Sequence, residues 1–108
     1  MDGVSVQVKP WRSDEPPTEA VIERLFREEG LRYDRWSNQG CSYHDAHIHA
    51  FDKVLYVIEG FITFSCPEVD REVTLGPGDR MELSAGVLHD ASVGPDGVFC
   101  IEGRKKIS

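Results

Sequence analysis

The sequence has no apolar run close to the roughly 18 residues that a membrane-spanning helix needs. Its first residues, Met1-Asp2-Gly3, lack the basic and apolar regions of a secretory signal peptide, so we expect a cytoplasmic protein. Basic residues are also scarce, with 12 Lys and Arg against 19 Asp and Glu and a net charge of −7. Nucleic-acid and anionic-membrane surfaces need basic patches, so we expect neither partner.

Cysteine is also rare in the sequence, with three residues. Cys41, Cys66 and Cys100 are odd in number and widely spaced, which predicts neither a disulfide framework nor a Cys-x-x-Cys zinc site. We therefore expect reduced thiols. The 108 residues predict one domain, and 40% apolar with 29% charged residues is ordinary for a soluble globular protein.

The first 30 residues predict one strand and one helix. Residues 4–8 alternate apolar and polar side chains, as in a strand with one buried face. A helix is predicted from about Pro17 to Glu29, because proline suits a first helical position and Gly30 suits the position after the end. Its apolar stripe consists of Val21, Ile22, Leu25 and Phe26.

The rest of the chain predicts short strands and tight turns. Strands are expected at about residues 31–36, 45–49, 53–59, 61–66, 71–75, 80–83, 87–93 and 98–102. Glu59-Gly60 predicts a hairpin turn, and residues 94–97 predict a turn that connects the last two strands. Many short strands joined by Gly, Pro and Asp turns indicate an all-β sandwich or barrel with one preceding helix.

Two histidines mark the centre of the chain. His47 and His49 are two residues apart, so in an extended strand both imidazoles point to the same face. Neutral imidazole is the commonest metal ligand in proteins. His89, in a second Gly-rich stretch, is the candidate partner.

Both stretches resemble motifs of the cupin superfamily. Gly40…His47-x-His49-x3-Lys53-x6-Gly60 is similar to its first motif, G-x5-H-x-H-x3,4-E-x6-G, with one extra residue after Gly40. Residues 78–93 are similar to the second, G-x5-P-x-G-x2-H-x3-N, with Ser84 at the proline and Val93 at the asparagine. The two motifs cover half of the chain in the right order.

This resemblance implies a single cupin domain over residues 1–108, with an N-terminal strand and helix (1–30) before a double-stranded β-helix, or jelly-roll, barrel (31–104). It also implies a homodimer and one divalent transition metal ion held by His47, His49 and His89. Imidazole leaves zinc, iron, manganese, nickel and copper open. The implied activities, dioxygenase, isomerase, epimerase or lyase, predict a small anionic organic acid or sugar derivative as substrate. The alternative is a non-catalytic barrel that binds a small ligand or a metal.

Lys53 is the main departure, since it stands where the motif has a glutamate. It shares parity with the two histidines and therefore faces the same interior if the strand is unbroken. Three roles stay open: contact with a substrate anion, a structural ion pair with Glu59 or Glu102, or a desolvated amine that forms a Schiff base.

Another side chain could replace the missing glutamate. Asp45 has the parity of His47 and is the best candidate, whereas Asp52 needs a flipped turn and His44 needs a bulge.

Other residues are candidates for lining the pocket. Arg80 and Glu82 alternate with Met81 and Leu83, so one of these pairs should face the interior. If it is the first pair, Arg80 adds a cation to the pocket. The aromatic candidates for the wall are Tyr43, Phe51, Tyr56 and Phe99.

Overall fold

The computed structural model describes residues 5–105, which form seven antiparallel strands, one α-helix and one short 3-10 helix. In chain order they are β1 Val6–Lys9, α1 Glu19–Glu29, β2 Arg32–Asn38, β3 Tyr43–His47, β4 Asp52–Cys66, the 3-10 helix Pro67–Val69, β5 Arg71–Leu75, β6 Arg80–Leu83 and β7 His89–Lys105. The all-β prediction with one N-terminal helix is confirmed. Val4, which opened the predicted first strand, lies outside the described residues.

Two long strands, β4 and β7, organise the fold. They pair along their lengths, from Asp52 with Lys105 to Ser65 with Asp90, and each takes part in two sheets. The first half of β4 pairs with β6 and its second half with β5. The second half of β7 pairs with β2 and its first half with β3. All seven strands are hydrogen-bonded as one continuous sheet. It folds into two facing layers that share β4 and β7, as in a jelly roll, and we call these layers the first sheet, with β1, β6 and β2, and the second sheet, with β5 and β3.

The predicted hairpin at Glu59-Gly60 is wrong, because both residues lie inside strand β4 and the chain does not reverse there. Gly60 has φ +81°, and a Cβ there would lie 1.9 Å from the carbonyl oxygen of Gly97. The predicted turn at residues 94–97 is likewise an irregularity inside β7, where the register with β4 shifts. Both segments bend the long strands from one sheet to the other instead of reversing the chain.

The sheets enclose one core, and the helix covers a second. Leu55, Val57 and Met81 belong to the buried apolar cluster between the sheets. Ile22 and Phe26 of α1 pack on the outer face of the first sheet, with Val54, Tyr56 and Ile101. No helix among residues 5–105 is long and apolar enough to cross a membrane.

The ends of the helix follow its sequence signals. The Thr18 hydroxyl accepts a hydrogen bond from the Val21 N–H, so the helix begins two residues after Pro17. Gly30 ends it with φ +71°, the left-handed conformation that glycine adopts without strain. Strand β1 pairs with β6 of the same chain, from Val6 opposite Leu83 onward.

Candidate metal centre

Three histidines converge between the sheets. His47 ends β3 and is the register partner of His89, the first residue of β7. His49 lies in the segment between β3 and β4. One ring nitrogen from each histidine falls within 4.8 Å of the others, which is close enough for all three to bind a single ion. The predicted convergence of these three residues is therefore present.

Two rings are oriented by hydrogen bonds at Nδ1, and their Nε2 atoms face the cluster, where His47 Nε2 lies 3.1 Å from His49 Nε2. His89 Nδ1 lies 2.9 Å from the Val87 carbonyl oxygen, and His47 Nδ1 lies 2.8 Å from that of Asp45. A carbonyl only accepts, so each Nδ1 carries the proton and each Nε2 keeps its lone pair. His89 Nε2 is buried and has no partner among the described residues. An orphaned acceptor beside two more imidazoles fits a metal ion.

The surroundings favour the neutral form of two of these imidazoles, those of His49 and His89. Burial, followed by repulsion from the Lys53 ammonium, lowers the pKa of His49 from 6.5 to about 4. Burial is also the largest cause that lowers the pKa of His89. Only the neutral imidazole offers a lone pair to a metal, so both side chains are ready to bind at neutral pH.

The segment that carries His49 is fixed by its neighbours. The Gly86 N–H donates to the His49 carbonyl oxygen at 2.9 Å, and the Ala85 N–H donates to the Asp52 carboxylate at 2.8 Å. The Phe51 ring packs against the His49 ring, with centroids 4.8 Å apart. Phe51 therefore packs against His49 and does not line the cavity. Asp52 holds this segment in place through its hydrogen bond with the Ala85 backbone.

The histidines open onto a cavity of about 200 Å³. Its lining residues are Trp36, His44, His47, His49, Lys53, Ile62, Phe64, His89, Ala91 and Glu102. Lys53 reaches it although the strand breaks between His47 and Asp52, and its Nζ lies 3.3 Å from Glu102 Oε1. The two side chains are 7% and 17% exposed, so the ion pair is largely buried. Of the roles left open for Lys53, the structure contains the ion pair with Glu102.

Asp45, the candidate extra ligand, lies outside the histidine cluster, and β3 is irregular at this point. The register with β7 shifts between His44 and His47, which breaks the parity on which the prediction depended. Asp45 is exposed and outside the histidine cluster. His44 does line the cavity, but its Nε2 lies 2.8 Å from Asn38 Oδ1.

Four predicted pocket residues lie elsewhere. Tyr56 and Arg80 are register partners on the outer face, under the helix, where the guanidinium binds Glu29. Tyr43 is 59% exposed, and its hydroxyl donates to Asp90 at 3.1 Å. Phe99 alternates with buried core residues and so points outward.

Sequence reasoning named Glu102 only as a possible ion-pair partner of Lys53, and it missed Trp36 and the apolar lining residues Ile62, Phe64 and Ala91. Glu102 shares parity with Val98 and Cys100, which belong to the core between the sheets. A carboxylate at an apolar position of a strand was the available signal. Trp36 lies on β2, whose weak alternation gave no clear inward face.

The sequence matches no protein-family model and no curated protein. Solved structures resemble it in fold. Acireductone dioxygenase from Bacillus anthracis, with a cadmium ion in its active centre, has a TM-score of 0.72 at 19% identity, over 96% of this chain and 80% of that one. A cupin-2 domain containing protein from Shewanella frigidimarina NCIMB 400 has a TM-score of 0.59 at 21% identity, over 70% and 71%.

A cupin superfamily protein from Desulfitobacterium hafniense DCB-2 has a TM-score of 0.60 at 11% identity, over 93% of this chain and 76% of that one. The chain therefore has the double-stranded β-helix fold of the cupin superfamily.

Proposed function

We propose that His47, His49 and His89 bind one divalent transition metal ion, at which a small molecule then binds. The observation that carries this proposal is the buried Nε2 of His89, which has no partner among residues 5–105 and belongs to the three-histidine cluster. A buried polar atom without a partner is costly unless something binds it. When bound, an ion of this kind supplies a Lewis acid that polarises a ligand oxygen.

The reaction that fits this site best is a metal-dependent conversion of a small anionic organic acid or sugar derivative, by a dioxygenase, isomerase or lyase. Three neutral imidazoles leave the charge of the cation uncompensated and leave coordination positions for a ligand. A cavity of about 200 Å³ suits a molecule of a few heavy atoms. In this proposal Lys53 contacts the substrate anion while it keeps its ion pair with Glu102.

One observation favours a second candidate, a non-catalytic barrel that binds a small ligand or a metal. Lys53 stands at the glutamate position of the first motif and forms a buried ion pair. A cation at this position opposes metal binding, and the ion pair would then serve stability alone.

Elemental analysis of untagged protein tests the metal site. We expect near-stoichiometric metal in wild type and none in His47→Ala. His44→Ala is the matched control, because this histidine lines the same cavity but lies outside the cluster. An empty wild type would contradict the proposal, and an empty wild type with a filled Lys53→Glu variant would favour the non-catalytic barrel.

Loss of function on metal removal separates the two candidates. Turnover that disappears in His89→Ala and on chelation supports the enzyme. Ligand binding that survives chelation supports the second candidate.

A homodimer remains part of the proposal. Three large apolar side chains, those of Tyr43, Ile48 and Phe61, are 55–60% exposed, which is consistent with a contact surface. Light scattering should give twice the mass of the chain, and a monomer mass would contradict this expectation.

A further inference from the structure

Glu102 is a charged side chain in an apolar place. It follows Val98 and Cys100 on the inward face of β7, and its side chain is 17% exposed. It lines the cavity together with the three histidines. A carboxylate in such a position needs hydrogen-bond donors, because desolvation of an unpaired charge is costly.

Glu102 has one hydrogen-bond donor and one ion-pair partner, and both come nearest to the same oxygen. Trp36 Nε1 donates to Oε1 at 3.1 Å, and Lys53 Nζ lies 3.3 Å from Oε1. Oε2 has no hydrogen-bond partner among the described side chains and backbone groups, and it is not among the fully buried unpaired atoms. A carboxylate accepts through both oxygens. The indole and the ammonium thus hold the group through Oε1, while Oε2 accepts no hydrogen bond within the described chain.

Glu102 is also set apart from the metal ligands. The histidine nitrogens lie within 4.8 Å of one another, and no oxygen of Glu102 belongs to that cluster. Glu102 and the three histidines line the same cavity, so one bound molecule can contact both.

We propose that Glu102 is a specificity-determining residue, whose free oxygen accepts a hydrogen bond from a hydroxyl group of the molecule bound at the histidines. This inference rests on the proposed metal site. An ammonium donor is disfavoured, because Lys53 already places one cation on the same carboxylate. The ligand class is therefore a small hydroxy acid, or a sugar derivative with a hydroxyl beside its metal-binding oxygen.

The test compares glycolate with methoxyacetate on protein loaded with Co²⁺, by calorimetry and by the visible spectrum of the ion. Both probes carry a carboxylate and a neighbouring oxygen, but only glycolate can donate a hydrogen bond. Hydrogen bonds to charged groups are among the stronger ones, so we expect wild type to prefer glycolate about tenfold or more.

Glu102→Gln should abolish this preference. Trp36 and Lys53 only donate, so the glutamine must turn its carbonyl oxygen to them and present its NH₂ group to the cavity. We expect the affinity ratio of the two probes to fall at least fivefold. Glu59→Gln, which changes an exposed carboxylate, is the matched control and should keep the wild-type ratio.

Two further outcomes keep the inference falsifiable. If Glu102→Gln does not fold because Lys53 is left unpaired, the neutral double variant Lys53→Gln/Glu102→Gln should fold and show the same loss of preference. An unchanged ratio in either variant overturns the inference while the metal site stands. Loss of cobalt from Glu102→Gln alone would make Glu102 a ligand and also overturn it. A wild type that binds no cobalt overturns both proposals.

Discussion

Replacing Arg80 with methionine should destabilise the protein without changing its metal content. The guanidinium is 11% exposed and lies on the helix side of the first sheet. It donates to both carboxylate oxygens of Glu29 at 2.6 and 2.9 Å, to Glu82 at 2.8 Å and to the Tyr56 hydroxyl at 3.0 Å. Methionine fills similar space but leaves all three partners without their donor.

The size of the loss follows from the exposure of these partners. Breaking a fully buried ion pair costs about 3–5 kcal/mol. Glu29 is 37% and Glu82 21% exposed, so water can replace part of the lost interaction. Glu82 also keeps Lys9 at 3.3 Å. We therefore expect a loss of about 2–3 kcal/mol in the free energy of unfolding, or about 10–20 °C in Tm for a domain of this size.

Urea unfolding gives the free energy, and elemental analysis of the folded variant gives the metal content. Tyr56→Phe is the matched control, since it removes one hydrogen bond from the same cluster and should cost about 1 kcal/mol. If Arg80→Met were as stable as wild type, or if the folded variant lost its metal, the assignment of Arg80 to the helix interface would be refuted.

Three further predictions concern pH, backbone and thiols. Between pH 6.5 and about 4 the unfolded chain binds a proton at His49 that the metal-free folded protein excludes, so stability should fall as pH falls through this window. The contribution of His49 is at most about 3 kcal/mol, less for a partly exposed side chain, and urea unfolding of His49→Asn in EDTA should show a smaller loss than wild type, because His89, whose pKa is also lowered, remains. Gly60→Ala should prevent folding, since the added Cβ would clash with the Gly97 carbonyl. A circular dichroism spectrum like that of wild type would contradict this prediction. Cys41 alone should react quickly with a thiol reagent in the folded protein, because the other two cysteines are buried and burial raises the pKa of Cys100 to about 12; a second fast thiol would contradict this.

Local sequence signals predicted the strands better than the connections between them. The strand at residues 80–83 has the predicted bounds, and so does the one at residues 71–75. Glu59-Gly60 predicts a hairpin because a glycine at the end of a strand usually marks a reversal of the chain. A strand that bends into a second sheet needs the same positive φ, and only the pairing with β7 distinguishes the two.

The candidate metal-binding residues could be predicted because two sequence motifs identify them. The other cavity residues could not, because the alternation of side chains along a strand does not say which face is inside. The three histidines meet as the resemblance implied. Alternation puts Arg80 and Glu82 on one face of their strand without saying which face is inside, and it gives no ground for choosing Tyr56 among the aromatic candidates. In this fold the helix buries the outer face as well, so burial of Arg80 did not mean that it faces the cavity.

This chain has a lysine where the motif has a glutamate, and Glu102 pairs with that lysine. The arrangement affects which ligand the site can bind. The protein groups around the histidines consist of one cation, one anion and neutral imidazoles, so their formal charge sums to zero. A site with a glutamate among its ligands would instead contribute one negative charge to the ion. A divalent ion bound here would therefore keep its full charge. In the proposed site an anionic ligand would supply the missing negative charge, so an acid with a hydroxyl for Glu102 would fit it better than a neutral polyol.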